Sequence, residues 1–188
     1  MTSLNIGDYI LKIFYSSSRK GLYSIVVNYL KRYHQGLIVD LGGGVGHLFS
    51  FLKKDYNKIV LDKSLILLKK GLSLYPEINF IMSVSEKIPM RENSITCIVM
   101  NDALHHFQNH ENVLSETYKV LRKEGCLLIN DFDYDHFLSK IMYLFEYLML
   151  LGPNYISLEN LKNKMKLTGF KILDVYKKSF EFFIVAKK

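Results

Sequence analysis

The chain has 188 residues, of which 49% are hydrophobic and 23% are charged. This length supports one hydrophobic core of ordinary size, and the apolar content excludes an intrinsically disordered chain. The net charge is +7, but only four of the 25 basic residues are arginines, and the basic residues are scattered along the chain. Proteins that bind nucleic acids usually cluster their positive charge and rely on arginine, so the composition argues against a nucleic-acid partner.

The distribution of apolar residues and cysteines indicates a soluble protein of the cytoplasm. The first ten residues lack the basic start and apolar stretch of a secretory signal. The most apolar window, 137–151, contains Lys140 and Glu146 and is too short to span a bilayer. Cys97 and Cys126 lie in apolar runs without the spacing of a zinc or redox pair, which predicts buried thiols on strands.

Helical and strand periodicities alternate along the chain. The predicted elements, in order, are helices over 4–15 and 21–34, a strand over 37–41, a helix over 47–54, a strand over 58–62, a helix from Ser64 to about Tyr75, strands over 79–82 and 95–100, a helix over 111–121, a strand over 126–130, helices over 137–151 and 158–167, and strands over 170–176 and 180–186.

This alternation predicts an α/β fold with a doubly wound, mostly parallel sheet and helices on both faces. The last two strands are too close in sequence for a crossover helix, so we expect them to pair antiparallel at one edge of the sheet. The chain has no fixed-period repeat and no linker rich in proline or glycine. One domain over 1–188, with a helical N-terminal extension over 1–35, is therefore the simplest organisation.

A glycine-rich turn between a strand and a helix indicates a site for a nucleotide-like ligand. Gly42, Gly44 and Gly46 form the pattern G-x-G-x-G, whereas a dinucleotide-binding loop requires glycine at the position of His47. Asp62 ends the second strand, where a carboxylate can accept both hydroxyls of a ribose. Asp40 precedes the loop and would repel a pyrophosphate, so an amino acid joined to a ribose fits this turn better than NAD.

Four segments together resemble the motifs of a known enzyme family. They read Ile-Val-Asp-Leu-Gly-Gly-Gly-Val-Gly over 38–46, Ser-Glu-Lys-Ile-Pro-Met over 85–90, Ile-Val-Met-Asn-Asp-Ala-Leu-His-His-Phe over 98–107 and Val-Leu-Arg-Lys-Glu-Gly-Cys-Leu-Leu-Ile over 120–129. In this order and spacing they resemble the class I S-adenosylmethionine-dependent methyltransferases, particularly the small, type 11-like enzymes that act on quinones, other lipids and small metabolites. The resemblance implies a seven-stranded, Rossmann-like sheet and S-adenosyl-L-methionine as the cofactor.

The resemblance also implies a role for individual residues of the cofactor site. They are Asp40, Leu41, Gly42, Gly43 and Gly44 for the methionine portion, Asp62 and Lys63 for the ribose, Val84 and Ser85 for the adenine ring, and Asn101 beneath the methionine portion. Many family members have an aspartate at the position of Val84, so adenine recognition here is expected to rest on the backbone and on apolar packing.

The residues that follow the fourth and fifth strands leave two questions open. His105 and His106 are the candidate catalytic residues, as a general base or a substrate contact, but a structural pair that opens the next loop is the preferred interpretation, because methyl transfer to a good nucleophile often needs no base. A metal site, as in catechol-type methyltransferases, could be formed by Asn101, Asp102, Asn130, Asp131, Asp133, Asp135, His110 and His136. Among them, Asp131, Asp133 and Asp135 follow the fifth strand. A solvated loop facing the substrate is the preferred interpretation, so no metal is expected.

The expected activity is methyl transfer by direct in-line displacement to a small, apolar or aromatic acceptor, without a protein nucleophile. The alternatives are a noncatalytic domain that binds the cofactor and acts through a partner, and a methyltransferase acting on RNA or protein. In this family the region 133–168 is expected to form a helical cap on the substrate side. Its apolar stretch, 137–151, could be a buried helix, a pocket wall, a homodimer contact or a peripheral membrane surface, and the sequence does not choose among them.

Overall fold

A seven-stranded sheet forms the centre of the computed structural model, which describes residues 24–33, 36–53 and 55–188. The strands are β1 (Leu37–Leu41), β2 (Asn57–Asp62), β3 (Asn79–Met82), β4 (Ile95–Asn101), β5 (Leu121–Phe132), β6 (Lys171–Lys178) and β7 (Glu181–Lys187). Their order across the sheet is β3-β2-β1-β4-β5-β7-β6. Strands β1 to β5 are parallel, β7 runs antiparallel to β5, and β6 runs antiparallel to β7 at the edge. The predicted α/β fold with an antiparallel edge hairpin is confirmed.

Helices cover both faces of this sheet. They are α1 (residues 24–30), α2 (Leu65–Leu74), α3 (His110–Val120), α4 (Phe137–Leu148) and α5 (Leu158–Thr168). Four of them begin at a residue whose side chain accepts a hydrogen bond from the first helical turn, namely Ser64, Asn109, His136 and Ser157. Such caps satisfy backbone N–H groups that have no partner within the helix.

The central strands are buried on both faces, as their unbroken apolar runs predict. Val39 and Ile98 belong to a core that includes residues of α3 and α5. Ile38 and Cys97 point to the opposite face and belong to a core with residues of α1 and α2. Cys97 and Cys126 are neighbours on β4 and β5 and both are buried, which confirms that they are buried strand thiols. Burying one such apolar side chain stabilises the fold by roughly 1.5–3 kcal/mol.

Two predicted elements near the sheet have a different form in the structure. The segment after the glycine loop is a single 3-10 turn, His47–Phe51, rather than a helix to 54, because Gly46 provides no side-chain cap and Leu52 is already extended. Strand β5 begins at Leu121 rather than at 126. A register shift between Ile95 and Cys97, and a positive φ of 61° at Glu124, let the chain pass from α3 directly into this strand.

Helix α4 is shorter than predicted and presents the opposite faces from those of an ordinary surface helix. It ends at Leu148, because Leu150 and Gly152 have positive φ angles that a continuing helix cannot accommodate. Ser139 and Glu146 are its buried residues. Five of its large apolar side chains are exposed, so the interpretation of this segment as a fully buried helix is wrong. They are Phe137, Ile141, Leu144, Tyr147 and Leu148.

Part of the predicted N-terminal extension over 1–35 lies outside the described residues, including the whole of the predicted helix 4–15. Within the second predicted helix, 21–34, residues 24–30 are α-helical and continue into a 3-10 turn, Lys31–Tyr33. Among the described residues, no helix has the length and apolar content that a membrane crossing requires.

Candidate functional site

A cavity of about 510 Å³ opens at the carboxyl ends of the parallel strands. This is the edge where ligands bind in doubly wound sheets, and the volume falls within the ~300–1,000 Å³ of small-molecule sites. Its wall is built from the turns that follow β1, β2, β3 and β4 and from one residue after α4. The lining residues are Leu41, Gly42, Gly44, Leu61, Asp62, Lys63, Ser64, Leu67, Ser83, Val84, Ser85, Glu86, Asp102, Ala103, His106, Phe107, Gln108 and Leu151.

The glycine loop forms one end of this cavity and needs glycine for two different reasons. Gly42 has a φ of 77°, and a Cβ atom there would lie 2.7 Å from the Cβ of Ala103. Gly44 has a φ of 54°, but a Cβ there would meet no heavy atom closer than 3.5 Å. Gly42 therefore permits close packing, whereas Gly44 permits a left-handed turn beside open space. A ligand can lie against the backbone at that point.

Asp62 ties the loop to the beginning of α2. Its Oδ2 accepts a hydrogen bond of 2.9 Å from the N–H of Gly44, and its Oδ1 accepts one of 2.8 Å from the N–H of Ser64. A carboxylate has about four acceptor sites, so each oxygen keeps one for a hydroxyl group. Asp62 lines the cavity, as does the adjacent Lys63. The predicted ribose contact is thus compatible with the position of this carboxylate, and it stays a prediction.

Asp40 lies beneath the loop rather than on the cavity wall. Its side chain is buried, and a Cβ atom added to Gly43 would lie 2.5 Å from its carboxylate. Burial, followed by the negative charge of Asp62, raises the pKa of Asp40 to about 8. Its Oδ1 has no hydrogen-bond partner among the described residues. Asp62 therefore lines the cavity and Asp40 does not. The glycine loop separates Asp40 from the amino group of a ligand in the cavity.

The turn after β3 forms the adenine side of the predicted site. Val84 exposes half of its side chain and lines the cavity next to the buried Ser85. The hydroxyl of Ser83 donates to the backbone carbonyl of Lys87 at 2.9 Å, which closes this turn. Glu86 also lines the cavity, a position to which the sequence analysis assigned no role.

At the end of β4 the cavity is lined by Asp102 rather than by the predicted Asn101. The side-chain oxygen of Asn101 accepts a hydrogen bond of 3.0 Å from the amide of Asn130 on the paired strand β5. Asp102 adopts a φ of 58°, a conformation that aspartate tolerates better than most residues. The structure therefore directs Asn101 toward its cross-strand partner, and its predicted contact with the methionine portion stays a prediction.

The two candidate catalytic histidines occupy different environments. His105 is buried and does not line the cavity, whereas His106 does. Their rings are 4.0 Å apart. Burial, followed by the positive charge of His105, lowers the pKa of His106 to about 4, so its imidazole is neutral at neutral pH.

His105 forms a buried pair with Asp131 at the end of β5. Its Nδ1 lies 2.7 Å from Oδ1 of Asp131, and its backbone N–H donates to Oδ2 at 3.1 Å. Burial by itself would lower the pKa of His105, but the charge and the hydrogen bond of Asp131 outweigh burial and raise the pKa to about 9. Burial by itself would raise the pKa of Asp131, but the charge and the hydrogen bond of His105 lower it below its ordinary value.

The interpretation of Asp131, Asp133 and Asp135 as a solvated loop is wrong for the first two residues. Asp131 is buried against His105. Asp133 is buried as well, accepts a hydrogen bond of 3.0 Å from the N–H of Leu158 and pairs with Lys177. Asp135 alone is exposed. The first two carboxylates turn inward because backbone N–H groups and cationic side chains of distant segments satisfy their oxygens.

The sequence analysis missed two polar residues near the histidines. Glu146 is a buried carboxylate on α4, and its Oε1 accepts a hydrogen bond of 3.1 Å from the hydroxyl of Tyr155. The ring of Tyr155 lies 4.9 Å from that of His105. Glu146 is the only acidic residue of α4, and a single carboxylate within an apolar run was the available signal.

Comparison with known proteins identifies the family of this fold. A family model described as a methyltransferase domain matches residues 39–129. The ubiquinone/menaquinone biosynthesis C-methyltransferase UbiE of Blochmanniella pennsylvanica is 30% identical to the chain over 175 residues, which cover 77% of the chain and 69% of that enzyme. The enzyme of the same name from Blochmanniella floridana is 33% identical over 110 residues, which cover 53% of the chain and 43% of that enzyme. The chain therefore spans about two thirds of one relative and less than half of the other.

A solved structure shows the same fold at low identity. A methyltransferase from Thermotoga maritima, described as dependent on S-adenosylmethionine and as a possible histamine N-methyltransferase, superposes with a TM-score of 0.71 and 18% identity. The superposition covers 96% of the chain and 99% of that protein. At this identity the likeness supports the architecture, and it does not extend to the acceptor.

Proposed function

The chain belongs to the class I S-adenosylmethionine-dependent methyltransferases, and from this premise we propose that it methylates a small, apolar or aromatic acceptor. The observation that carries the proposal is the cavity at the carboxyl edge of the sheet, whose lining includes the polar Asp62 and the apolar Phe107 and Leu151. The donor is S-adenosylmethionine, as in the family. The polar lining can hydrogen-bond to the donor, and the apolar lining can pack against an acceptor.

We assign donor binding to the loop after β1 and to the turns after β2 and β3. Asp62 keeps acceptor sites for the ribose hydroxyls, while Gly44 leaves space for the methionine portion against the backbone. Val84 offers an apolar surface for the adenine ring beside Ser85. When bound, S-adenosylmethionine supplies a methyl group on a sulfonium, and in-line displacement by the acceptor needs no protein nucleophile. The residues therefore contribute by orienting two molecules and excluding water.

The region 133–168 fits the role of a cap at the acceptor end. Leu151 lines the cavity directly after α4, and the exposed apolar side chains of α4 continue outward from it. Such a surface suits an acceptor that partitions into membranes and is reached by peripheral contact. The relatives named as ubiquinone/menaquinone C-methyltransferases support a quinol-like ring whose carbon atom is the nucleophile.

Two further elements complete the proposal. His106 faces the acceptor end as a neutral imidazole, and His105 acts as a positioning residue through its pair with Asp131. We also treat residues 1–188 as one methyltransferase domain of a cytoplasmic protein. A homodimer through the exposed face of α4 is the alternative use of that surface.

Transfer of a labelled methyl group tests the proposal. The chain is incubated with methyl-labelled S-adenosylmethionine and either a prenylated naphthoquinol in lipid vesicles, a water-soluble phenol or total RNA. We expect label on a ring carbon of the quinol, and we expect Asp62→Ala to abolish it while the exposed control Asp55→Ala retains it. Label on RNA or protein would replace the proposed acceptor, and donor binding without any labelled product would favour a noncatalytic domain.

A further inference from the structure

Three side chains from two distant segments meet beside the acceptor end of the cavity. His105 and His106 follow β4, whereas Glu146 lies on α4. One nitrogen of each imidazole and one oxygen of the carboxylate all lie within 4.8 Å of one another. His105 is 2% exposed and Glu146 is 3% exposed, while His106 reaches the cavity wall.

Two buried atoms of this cluster have no hydrogen-bond partner within the part of the chain that the structure describes. They are Nε2 of His105 and Oε2 of Glu146. The remaining polar atom of each side chain is held in place, because Nδ1 of His105 bonds to Asp131 and Oε1 of Glu146 bonds to Tyr155. A buried polar atom without a partner costs roughly 1–3 kcal/mol. Two such atoms within one cluster indicate that a ligand belongs between them.

The pair with Asp131 prepares His105 to coordinate an ion. The Asp131 carboxylate is an acceptor, so Nδ1 keeps its proton, and a metal ion bound to Nε2 would take the place of the second proton of the imidazolium. Histidines that bind metals almost always donate their other ring N–H to a carboxylate or a carbonyl. This hydrogen bond determines the tautomer and the ring orientation, and it leaves the ligand atom directed into the cluster.

The charges of the surrounding groups favour a cation. Asp131 and Glu146 place two buried carboxylates around His105, and within the described part of the chain neither forms an ion pair with a lysine or arginine. Burying negative charge without compensation is costly. Protonated His105 offsets the charge of Asp131, and a divalent cation coordinated by the cluster would also offset the charge of Glu146.

We propose that His105, His106 and Glu146 bind a divalent transition-metal ion, with Asp131 orienting His105. Two imidazole nitrogens and one carboxylate oxygen suit Zn²⁺, Fe²⁺ or Co²⁺ rather than Mg²⁺ or Ca²⁺. Three protein ligands leave at least one coordination position open, and it faces the cavity because His106 lines its wall. An acceptor oxygen bound there would be polarised and its deprotonation made easier. Only this last step rests on the proposed function.

Titration with Co²⁺ tests the site without any acceptor. The full chain is dialysed against a chelator, and Co²⁺ binding is followed by its visible absorption and by competition with Zn²⁺. We expect one ion per chain, and we expect at least tenfold weaker binding in Glu146→Gln and in His106→Gln. Glu146→Gln keeps the volume and the contact with Tyr155, and His47→Gln is the matched control that removes an exposed histidine outside the cluster.

Thermal unfolding of each variant, followed by circular dichroism, separates loss of the site from loss of the fold. If Glu146→Gln does not fold, His106→Gln decides the result, because its side chain is partly exposed. Equal Co²⁺ binding in all four proteins, or no absorption in the unmodified chain, overturns the proposal. Methyl transfer before and after chelation is measured separately. If the proposed acceptor is not methylated, the Co²⁺ titration still tests the metal site.

Discussion

The donor side and the acceptor side of the cavity are built in different ways. On the donor side, Asp62 bonds to Gly44 and Ser64, all within one strand–loop–strand–helix unit. On the acceptor side, His105 bonds to Asp131, and Glu146 bonds to Tyr155. The first set lies within residues 44–64, whereas the second spans residues 105–155 and joins the ends of two strands to helix α4 and the segment that follows it.

This difference separates two kinds of functional site. The donor side is preorganised by local turns and by one sheet edge, so its geometry follows from a short stretch of the sequence. A site assembled from distant segments depends on the packing of the whole region after β5, including α4. We therefore expect changes on the acceptor side to cost more folding free energy, and changes on the donor side to cost more ligand affinity.

The largest effect is expected for Asp131→Ala. This change leaves His105 buried without its counter-ion and removes the acceptor for the N–H groups of His105 and Phe132. Breaking a buried pair of this kind lowers the free energy of unfolding by about 3–5 kcal/mol. Urea denaturation measures it, with the exposed Asp135→Ala as the matched control expected to change stability by less than about 0.5 kcal/mol. Equal stability of the two variants would contradict the acceptor-side assembly.

A large loss of affinity is expected on the donor side for Asp62→Ala. The change removes the carboxylate that holds Gly44 and Ser64 and that is assigned to the ribose. Losing hydrogen bonds to a charged group costs about 2–3 kcal/mol, or roughly 30- to 150-fold in affinity for S-adenosylmethionine. Calorimetric titration measures this loss. Asp62→Asn keeps one oxygen acceptor, so its affinity for S-adenosylmethionine should lie between that of the unchanged chain and that of Asp62→Ala. Unchanged affinity in both variants would mean that Asp62 does not bind the donor.

Asp40→Asn should change the pH dependence of stability. The pKa of Asp40 in the folded state is about 8, above its ordinary value near 3.8. The folded chain therefore holds a proton that the unfolded chain has lost. The stability that this bound proton contributes is fully present below the ordinary pKa of Asp40. It is lost as the pH rises toward 8, at up to about 1.4 kcal/mol per pH unit. Denaturation between pH 5 and pH 8 should show a smaller decline in Asp40→Asn. Parallel curves for the two proteins would mean that Asp40 titrates normally.

The smallest effect is expected on the exposed face of α4. Leu148 is 70% exposed, so Leu148→Glu should leave the melting temperature nearly unchanged. If this face receives a lipid-like acceptor, losing one apolar contact raises the KM for that acceptor by about fivefold. Leu167→Glu is the control, because this leucine on α5 is also exposed, at 88%. A similar rise in KM for both variants, or for a water-soluble acceptor, would mean that the exposed face of α4 does not receive the acceptor.

Much of the fold was predictable because its signals are local. The apolar runs of β1 and β4, the cap at Ser64 and the short connection before β7 each report on a few neighbouring residues. The glycine spacing and Asp62 likewise pointed to the ends of β1 and β2, where the structure has a cavity lined by Gly42, Gly44 and Asp62. These features require no knowledge of distant contacts, and the family resemblance rests on the same segments.

The sequence alone determined the alternation of strands and helices, the sheet edge that carries the loop, and the family, since periodicity and contiguous motifs depend on backbone geometry. Only the tertiary structure decided which polar groups face the cavity. In the folded chain Asp40 is buried beneath Gly43 and Asp131 is bonded to His105. Glu146 is buried, while several large apolar side chains of α4 are exposed. The reason is physical: the burial and the hydrogen-bond partner of a charged side chain are set by segments far away in the chain, which no local pattern encodes.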